Sequence, residues 1–339
     1  MSLFLKKTIA FCLGLWLMPQ FLAAQPFILP TQNRAFFDPE GPPKYFAHTP
    51  GRDWMSGTFG CVRSEGWQMH EGIDILAVTH DKQGEPADEV WAAADGVVVY
   101  QNRKPSLSNY GNYIILKHQI EGLEVLTLYA HLKSIRSDLK IGSPVKAKEV
   151  LAMMGRTSNT RQQITKDRAH LHFEINFFVN DRFTQWHEKA LPGQRNDHGD
   201  WNGQNLIGID PVEVFKGQQK EGAKFSLLNY VRNQRELCRI VVRDTNFPWL
   251  KRNLRLIRRN PVAEKQGIAG YEIALNFNGL PYQLIPRAEI EIPGKAKVQL
   301  LSVNAEEQSK NPCRKLVTKK GSQWELTNTG QRVIDLLTY

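Results

Sequence analysis

At 339 residues the chain exceeds one average domain, so two units are expected, each able to bury a core. A hydrophobic share of 41% together with 25 Gly and 18 Pro excludes a fibrous or low-complexity chain and points to a globular one rich in turns. The net charge of +10, which falls to +8 without Lys6 and Lys7, favours approach to anionic surfaces.

Residues 1–24 have the pattern of a secretory signal: Lys6 and Lys7, an apolar run from Thr8 to Leu17, then Phe21-Leu22-Ala23-Ala24 before Gln25. Pro19 and Gln20 interrupt the run, which is too short for a membrane span. Export to the periplasm or cell envelope is therefore expected, with no stable transmembrane segment after cleavage. The anions within reach there are cell-wall polymers and lipid headgroups, not nucleic acid. Phe11 stands where a lipidation signal needs a small residue, so Cys12 is not read as a lipid anchor. Of the remaining cysteines, Cys238 and Cys313 share the C-terminal half and are the expected disulfide in an oxidising compartment, with Cys61 left as a buried free thiol.

Residues 25–56 form a Pro-rich lead whose aromatics (Phe27, Phe36, Phe37, Tyr45, Phe46) are expected to lie against the following domain, with little regular structure. Gly57 to Asp74 reads as a hairpin leading into His70-Glu71-Gly72-Ile73-Asp74. After a polar loop, His80 to Asp88, strands are expected over Val90–Tyr100, Tyr113–His118 and Glu124–Tyr129. The last of these runs into Leu128-Tyr129-Ala130-His131-Leu132. A polar stretch from Arg156 to Arg168 then precedes His170-Leu171-His172-Phe173-Glu174. Apolar alternation at Ala169, Leu171, Phe173 and Ile175 argues a strand, and a period of two puts His170 and His172 on one face.

Neutral imidazoles and carboxylates are ordinary zinc ligands, and a catalytic zinc takes three of them with one position open. His70, Asp74 and one histidine of the second pair would supply that number. Glu71 is not read as a helix-borne general base, because His-Glu-x-x-His is absent: position 74 is Asp, and Gly72 weakens any helix.

With His-x-Gly-x-Asp, Tyr-x-His-Leu and His-Leu-His-Phe-Glu in this order, residues 50–216 resemble the LytM/lysostaphin-type zinc metallopeptidases, peptidase family M23. Further matches are Gly60 with Arg63, Ala93-Asp95-Gly96-Val97, and Tyr110-Gly111-Asn112-Tyr113 leading to His118, which is read as structural. The resemblance implies Zn2+ on His70, Asp74 and His172, with His131 and His170 as catalytic histidines that are not ligands. It also implies a mostly β fold, a two-sheet antiparallel domain with the zinc in a groove, acting as an endopeptidase on peptidoglycan peptide stems or cross-links. The loop at His80–Asp88 and the insert at Arg156–Arg168 are longer than the family pattern, which bears on substrate specificity and not on the ligands. Two alternatives change the function: a non-enzymatic wall-binding or amidase-regulating protein, whose relatives usually lack ligands that stand intact here, and a metalloprotease acting on proteins.

The peptidase domain is expected over 57–216, with His187 and His198 as surface residues and 217–225 as a linker. Residues 226–339 are then a small second domain, β-rich from alternating pieces such as Arg239–Arg243, Tyr271–Leu275 and Lys295–Leu300. All nine histidines lie between His48 and His198, so this half cannot build a second imidazole zinc site. Its basic window, Lys251, Arg252, Arg255, Arg258 and Arg259, is read either as an anionic envelope contact or as an ordinary solvated face.

Overall fold

The computed structural model describes residues 26–339, and the signal segment with Cys12 lies outside the described residues. The first half contributes β1 (Gly60–Arg63), β2 (Gln68–His70), β3 (Ile73–Leu76), β4 (Glu89–Trp91), β5 (Gly96–Asn102), β6 (Tyr113–Ile120) and β7 (Leu123–Ala130). It continues with β8 (Ser134–Ile135), β9 (Pro144–Val145), β10 (Val150–Met153), β11 (His170–Phe178) and β12 (Leu206–Ile209). The largest sheet runs β12-β11-β7-β6-β5-β9, a second runs β4-β10-β8, and β1 pairs with β2. The pairings are antiparallel, and the protein is mostly β with several such sheets.

Strand β11 is the axis of the first half, and all nine of its residues are buried. Leu171, Phe173, Ile175 and Phe177 enter the hydrophobic core, which leaves His170, His172, Glu174 and Asn176 on the opposite face. One edge of β11 pairs with β7, while β3 and β12 lie end to end along the other. Register then sets Asp74 and Ala130 on either side of His172. Gly72 allows the approach into β3, because a Cβ there would lie 2.3 Å from the Phe173 carbonyl oxygen.

The hairpin β6–β7 closes on Glu121-Gly122, both with left-handed φ (52° and 76°), the backbone of a tight two-residue turn that follows the strand twist. The Glu121 carboxylate accepts from the backbone N–H of Leu227 (3.1 Å) and Leu228 (2.9 Å), capping the helix Leu227–Arg232 at its positive end. The N-terminal lead packs as expected: Phe27, Leu29, Tyr45 and Phe46 are buried in the same core, and the Gln218 side chain bonds both backbone groups of Phe27.

The C-terminal half holds a four-stranded antiparallel sheet in the order β15-β14-β13-β16, made from β13 (Cys238–Val242), β14 (Gly270–Leu275), β15 (Pro281–Arg287) and β16 (Val298–Val303). A hairpin of β17 (Val317–Lys320) and β18 (Gln323–Leu326) and the helix Asn328–Leu337 follow.

Three expectations are corrected. The residues read as a linker, 217–225, instead contain the end of a helix, Pro211–Glu221, and a 3-10 turn, Gly222–Lys224. Asp210 caps this helix by accepting from Val212 N–H at 2.8 Å, and Pro211 sits at its first position. Its polar residues face outward while Val212, Val214 and Phe215 enter the core that also holds Phe177 and Ile240, so a polar composition did not mean an unpacked segment. Second, the disulfide joins Cys61 to Cys313, with Cα atoms 5.4 Å apart, and Cys238 is the free thiol among the described residues. Cys238 opens β13 facing the core, where burial pushes its thiol up to about 12, while the segment carrying Cys313 crosses to β1. Third, His187 is buried, in ring contact with Phe183. Within the basic window, Arg252 is an internal tie: it lies over the Phe178 ring at 5.0 Å and pairs with Glu124 and Asp181, each at 3.4 Å.

Candidate metal centre and catalytic cleft

The hairpin β1–β2 delivers His70, β3 delivers Asp74, and β11 delivers His170 and His172. Strand pairing brings Nε2 of His70, Oδ1 of Asp74 and Nδ1 of His172 together, at 3.1 Å (His70 to Asp74), 3.1 Å (His70 to His172) and 2.8 Å (His172 to Asp74). All three residues are buried. Further hydrogen bonds decide which ring nitrogens face the cluster. Nδ1–H of His70 donates to the Thr58 carbonyl at 2.7 Å, and Nε2–H of His172 donates to Glu174 Oε1 at 2.7 Å. Each ring therefore turns its other nitrogen toward Asp74.

Three lone-pair-bearing atoms so close together are a poor arrangement for a protein interior unless a proton or cation lies among them. The donor set, two imidazole nitrogens and one carboxylate oxygen, fits Zn2+ with an open position. Arg63 engages the other oxygen of Asp74, with Nη2 2.5 Å from Oδ2, and the same Nη2 lies 3.0 Å from His70 Nε2.

Charges in the cluster follow from these contacts. Burial opposes ionisation of Asp74, but His70, His170 and Arg63 hold its carboxyl well below the usual range. Burial likewise pulls His172 down, yet hydrogen bonds to Asp74 and Glu174 outweigh it and raise the ring to about 9. Glu174 is buried, and its bonds from His172, from the Tyr110 hydroxyl (2.6 Å) and from Asn176 (2.6 Å) keep it below its ordinary value.

His131 follows directly on β7, and its φ of 60° ends the strand in a left-handed turn that histidine adopts more readily than most side chains. Its Nδ1–H donates to the Thr157 carbonyl at 2.9 Å, and Nδ1–H of His170 donates to the Arg168 carbonyl at 2.6 Å. Nε2 of each ring is thereby left free of its proton. The two rings meet edge to face with centroids 4.9 Å apart, and His170 Nε2 lies 3.6 Å from Asp74 Oδ2. Burial, reinforced by the neighbouring histidines, holds His131 well below its ordinary value; burial also lowers His170. Both are neutral bases at neutral pH, placed beside the metal ligands without joining them.

The cluster opens into a cleft of about 930 Å3. One wall is the expected insert, with Ser158, Asn159, Gln162 and Ile164 at the cleft. It is clamped to the other long loop, where Arg156 grips Glu85 with two bonds (2.9 and 3.0 Å) and holds that carboxyl at about 2. The facing wall comes from the C-terminal half: Asn278, Arg314 and the helix residues Thr329, Arg332, Val333 and Leu336. His198, expected at the surface, also lines the cleft, with Nδ1 2.8 Å from the Tyr100 hydroxyl. His118 is structural as expected, bonded to the Asp95 carbonyl and the Thr127 hydroxyl.

Sequence reasoning missed Thr58, Glu174 as a partner of His172, and the whole C-terminal wall. The signal for Glu174 was present, since it lies two residues beyond His172 on the same strand face.

The model of peptidase family M23 matches residues 68–184. Similar solved structures include a zinc-containing peptidase from Vibrio cholerae, 27% identical over 32% of this chain and 26% of that one, with a TM-score of 0.23. The catalytic domain of lysostaphin from Staphylococcus simulans is 20% identical over 51% of this chain and 88% of that domain, with a TM-score of 0.28. The prophage-encoded M23 protein EnpA from Enterococcus faecalis is 20% identical over 35% and 75%, with a TM-score of 0.26. This chain thus spans about a quarter of the Vibrio cholerae protein. No curated protein matches. No helix of the described residues is long and apolar enough to cross a membrane. Across residues 68–184 the chain belongs to peptidase family M23.

Proposed function

We propose that this protein is an exported zinc-dependent endopeptidase that hydrolyses peptide bonds in bacterial peptidoglycan stems or cross-links. The observation that carries the reading is the convergence of His70, Asp74 and His172 on one point, with the free nitrogens of two further histidines beside it in an open cleft. His70, Asp74 and His172 hold the ion; bound there, Zn2+ supplies Lewis acidity, polarising the scissile carbonyl and acidifying water. His131 and His170 take the proton of the attacking water, pass it to the leaving amine and stabilise the developing oxyanion, a division of labour suited to two neutral imidazoles. Their Nδ1–H bonds to backbone carbonyls keep each Nε2 pointed at the reacting atoms. Glu174 and Thr58 act through the ligands by fixing ring orientation.

The test is digestion of purified peptidoglycan by the zinc-loaded protein, with mass analysis of the released peptides. New amino termini within stems or cross-links are expected. Intact peptides from a protein that binds zinc would overturn the reading.

A further inference from the structure

Five arginines and no lysine line the cleft: Arg63, Arg168, Arg195, Arg314 and Arg332. Most have work within the fold. Arg63 pairs with Asp74, Nε–H of Arg168 donates to the His48 carbonyl, Arg195 pairs with Asp197, and Arg332 is exposed on its helix. Arg314 differs. It is half-buried, it has no hydrogen bond or ion pair among the described residues, and its Nε is fully buried without a partner. Its flanks are fixed. Cys313 is tied to β1 through Cys61, Lys315 lies over the Trp67 ring at 6.0 Å in the β1–β2 turn, and Leu316 is in the core. The guanidinium is thus carried by the C-terminal half yet mounted on the hairpin that delivers His70, in the field of Glu71 and near Tyr110.

A half-buried guanidinium with open donors is costly unless something anionic completes it, and its planar fork suits a carboxylate. We infer that Arg314 is a specificity-determining residue that binds a carboxylate of the peptide substrate, so that this cleft selects acidic peptides over neutral ones. The inference rests on the peptidase reading above for its substrate class. The carboxylate is either an acidic side chain or the free C-terminus of the bound peptide, which present the same chemistry to the fork.

The experiment uses the zinc-loaded full chain and its Arg314→Gln and Arg314→Lys variants, with intact Cys61–Cys313 pairing verified in each. Three synthetic stem peptides serve as probes: acidic side chain with amidated end, neutral side chain with free carboxylate, and neutral with amidated end. Binding is measured by calorimetry and cleavage as separate kcat and KM. The wild type should prefer at least one carboxylate peptide by about tenfold to a hundredfold, and the preferred peptide identifies the source. Arg314→Gln should erase that preference while leaving the neutral peptide unchanged, and Arg314→Lys should recover part of it. Equal treatment of all three peptides by the wild type, or an equal loss on all three in Arg314→Gln, would overturn the role. Preferential binding without cleavage would sink the endopeptidase reading and leave the carboxylate site standing; cleavage without preference would do the reverse. No binding and no cleavage of any peptide would sink both.

Discussion

Glu174 Oε1 accepts the Nε2–H of His172 at 2.7 Å, and this single bond determines that Nδ1 of the same ring faces Asp74. Glu174 also receives the Tyr110 hydroxyl and the Asn176 amide, so every donor around it points inward. In Glu174→Gln an amide NH2 would have to face one of those donors. Zinc affinity should fall about tenfold to a hundredfold while the fold persists, measured by competition against a chelator. Unchanged affinity would remove the orienting role.

Ligands and neutral histidines should separate in mutagenesis. His70→Ala and Asp74→Ala should lose zinc and activity together, since three ligands define the open site. His131→Ala and His170→Ala should keep zinc and melting temperature but lose activity by about a hundredfold to ten-thousandfold. A folded, active His131→Ala protein would show that residue to be a packed turn histidine only.

The pH dependence of zinc binding has a definite sign. His172 is raised from 6.5 to about 9 in the zinc-free cluster, so its proton stabilises that fold fully below pH 6.5 and the contribution is lost as pH rises through 9. A ligating imidazole must give the proton up. Apparent zinc affinity should therefore climb by about tenfold per pH unit between these limits and level off above them. A flat profile from pH 7 to 9 would mean that no proton is displaced.

The bond from Cys61 to Cys313 spans 252 positions and constrains the unfolded chain strongly. Cys61→Ser should cost about 2–4 kcal/mol in denaturant unfolding. Peptide mapping without reductant should recover the Cys61–Cys313 pair, and Cys238 should react with thiol reagents only after denaturation. Any bridge containing Cys238 would contradict the structure.

What could be read from the sequence was local. Alternation in β11 placed His170 and His172 on one face, and short spacing kept His70 with Asp74, so the grouping of the cluster was visible before any tertiary contact was known. The cysteine pairing was not, because nearness in sequence says nothing about which way a side chain on β13 points. Arg314 belongs to no motif, and only long-range packing of the C-terminal half brings it to the cleft. The polar residues of Pro211–Glu221 gave a compositional signal of exposure that was true of one helix face and misleading for the other.

Trp249 of the C-terminal half packs against Phe177 of β11, Asn278 donates to the Gly208 carbonyl on β12 at 2.8 Å, and Asn180 donates to that of Leu336 at 2.7 Å. A core shared in this way leaves no seam at which heat could release one half and spare the other. Scanning calorimetry should accordingly record one endotherm, with a calorimetric enthalpy close to the van't Hoff value, where two loosely joined units would give two. Thermal tolerance of the cleft is then set as much by the packing around Trp249 as by anything within reach of the substrate.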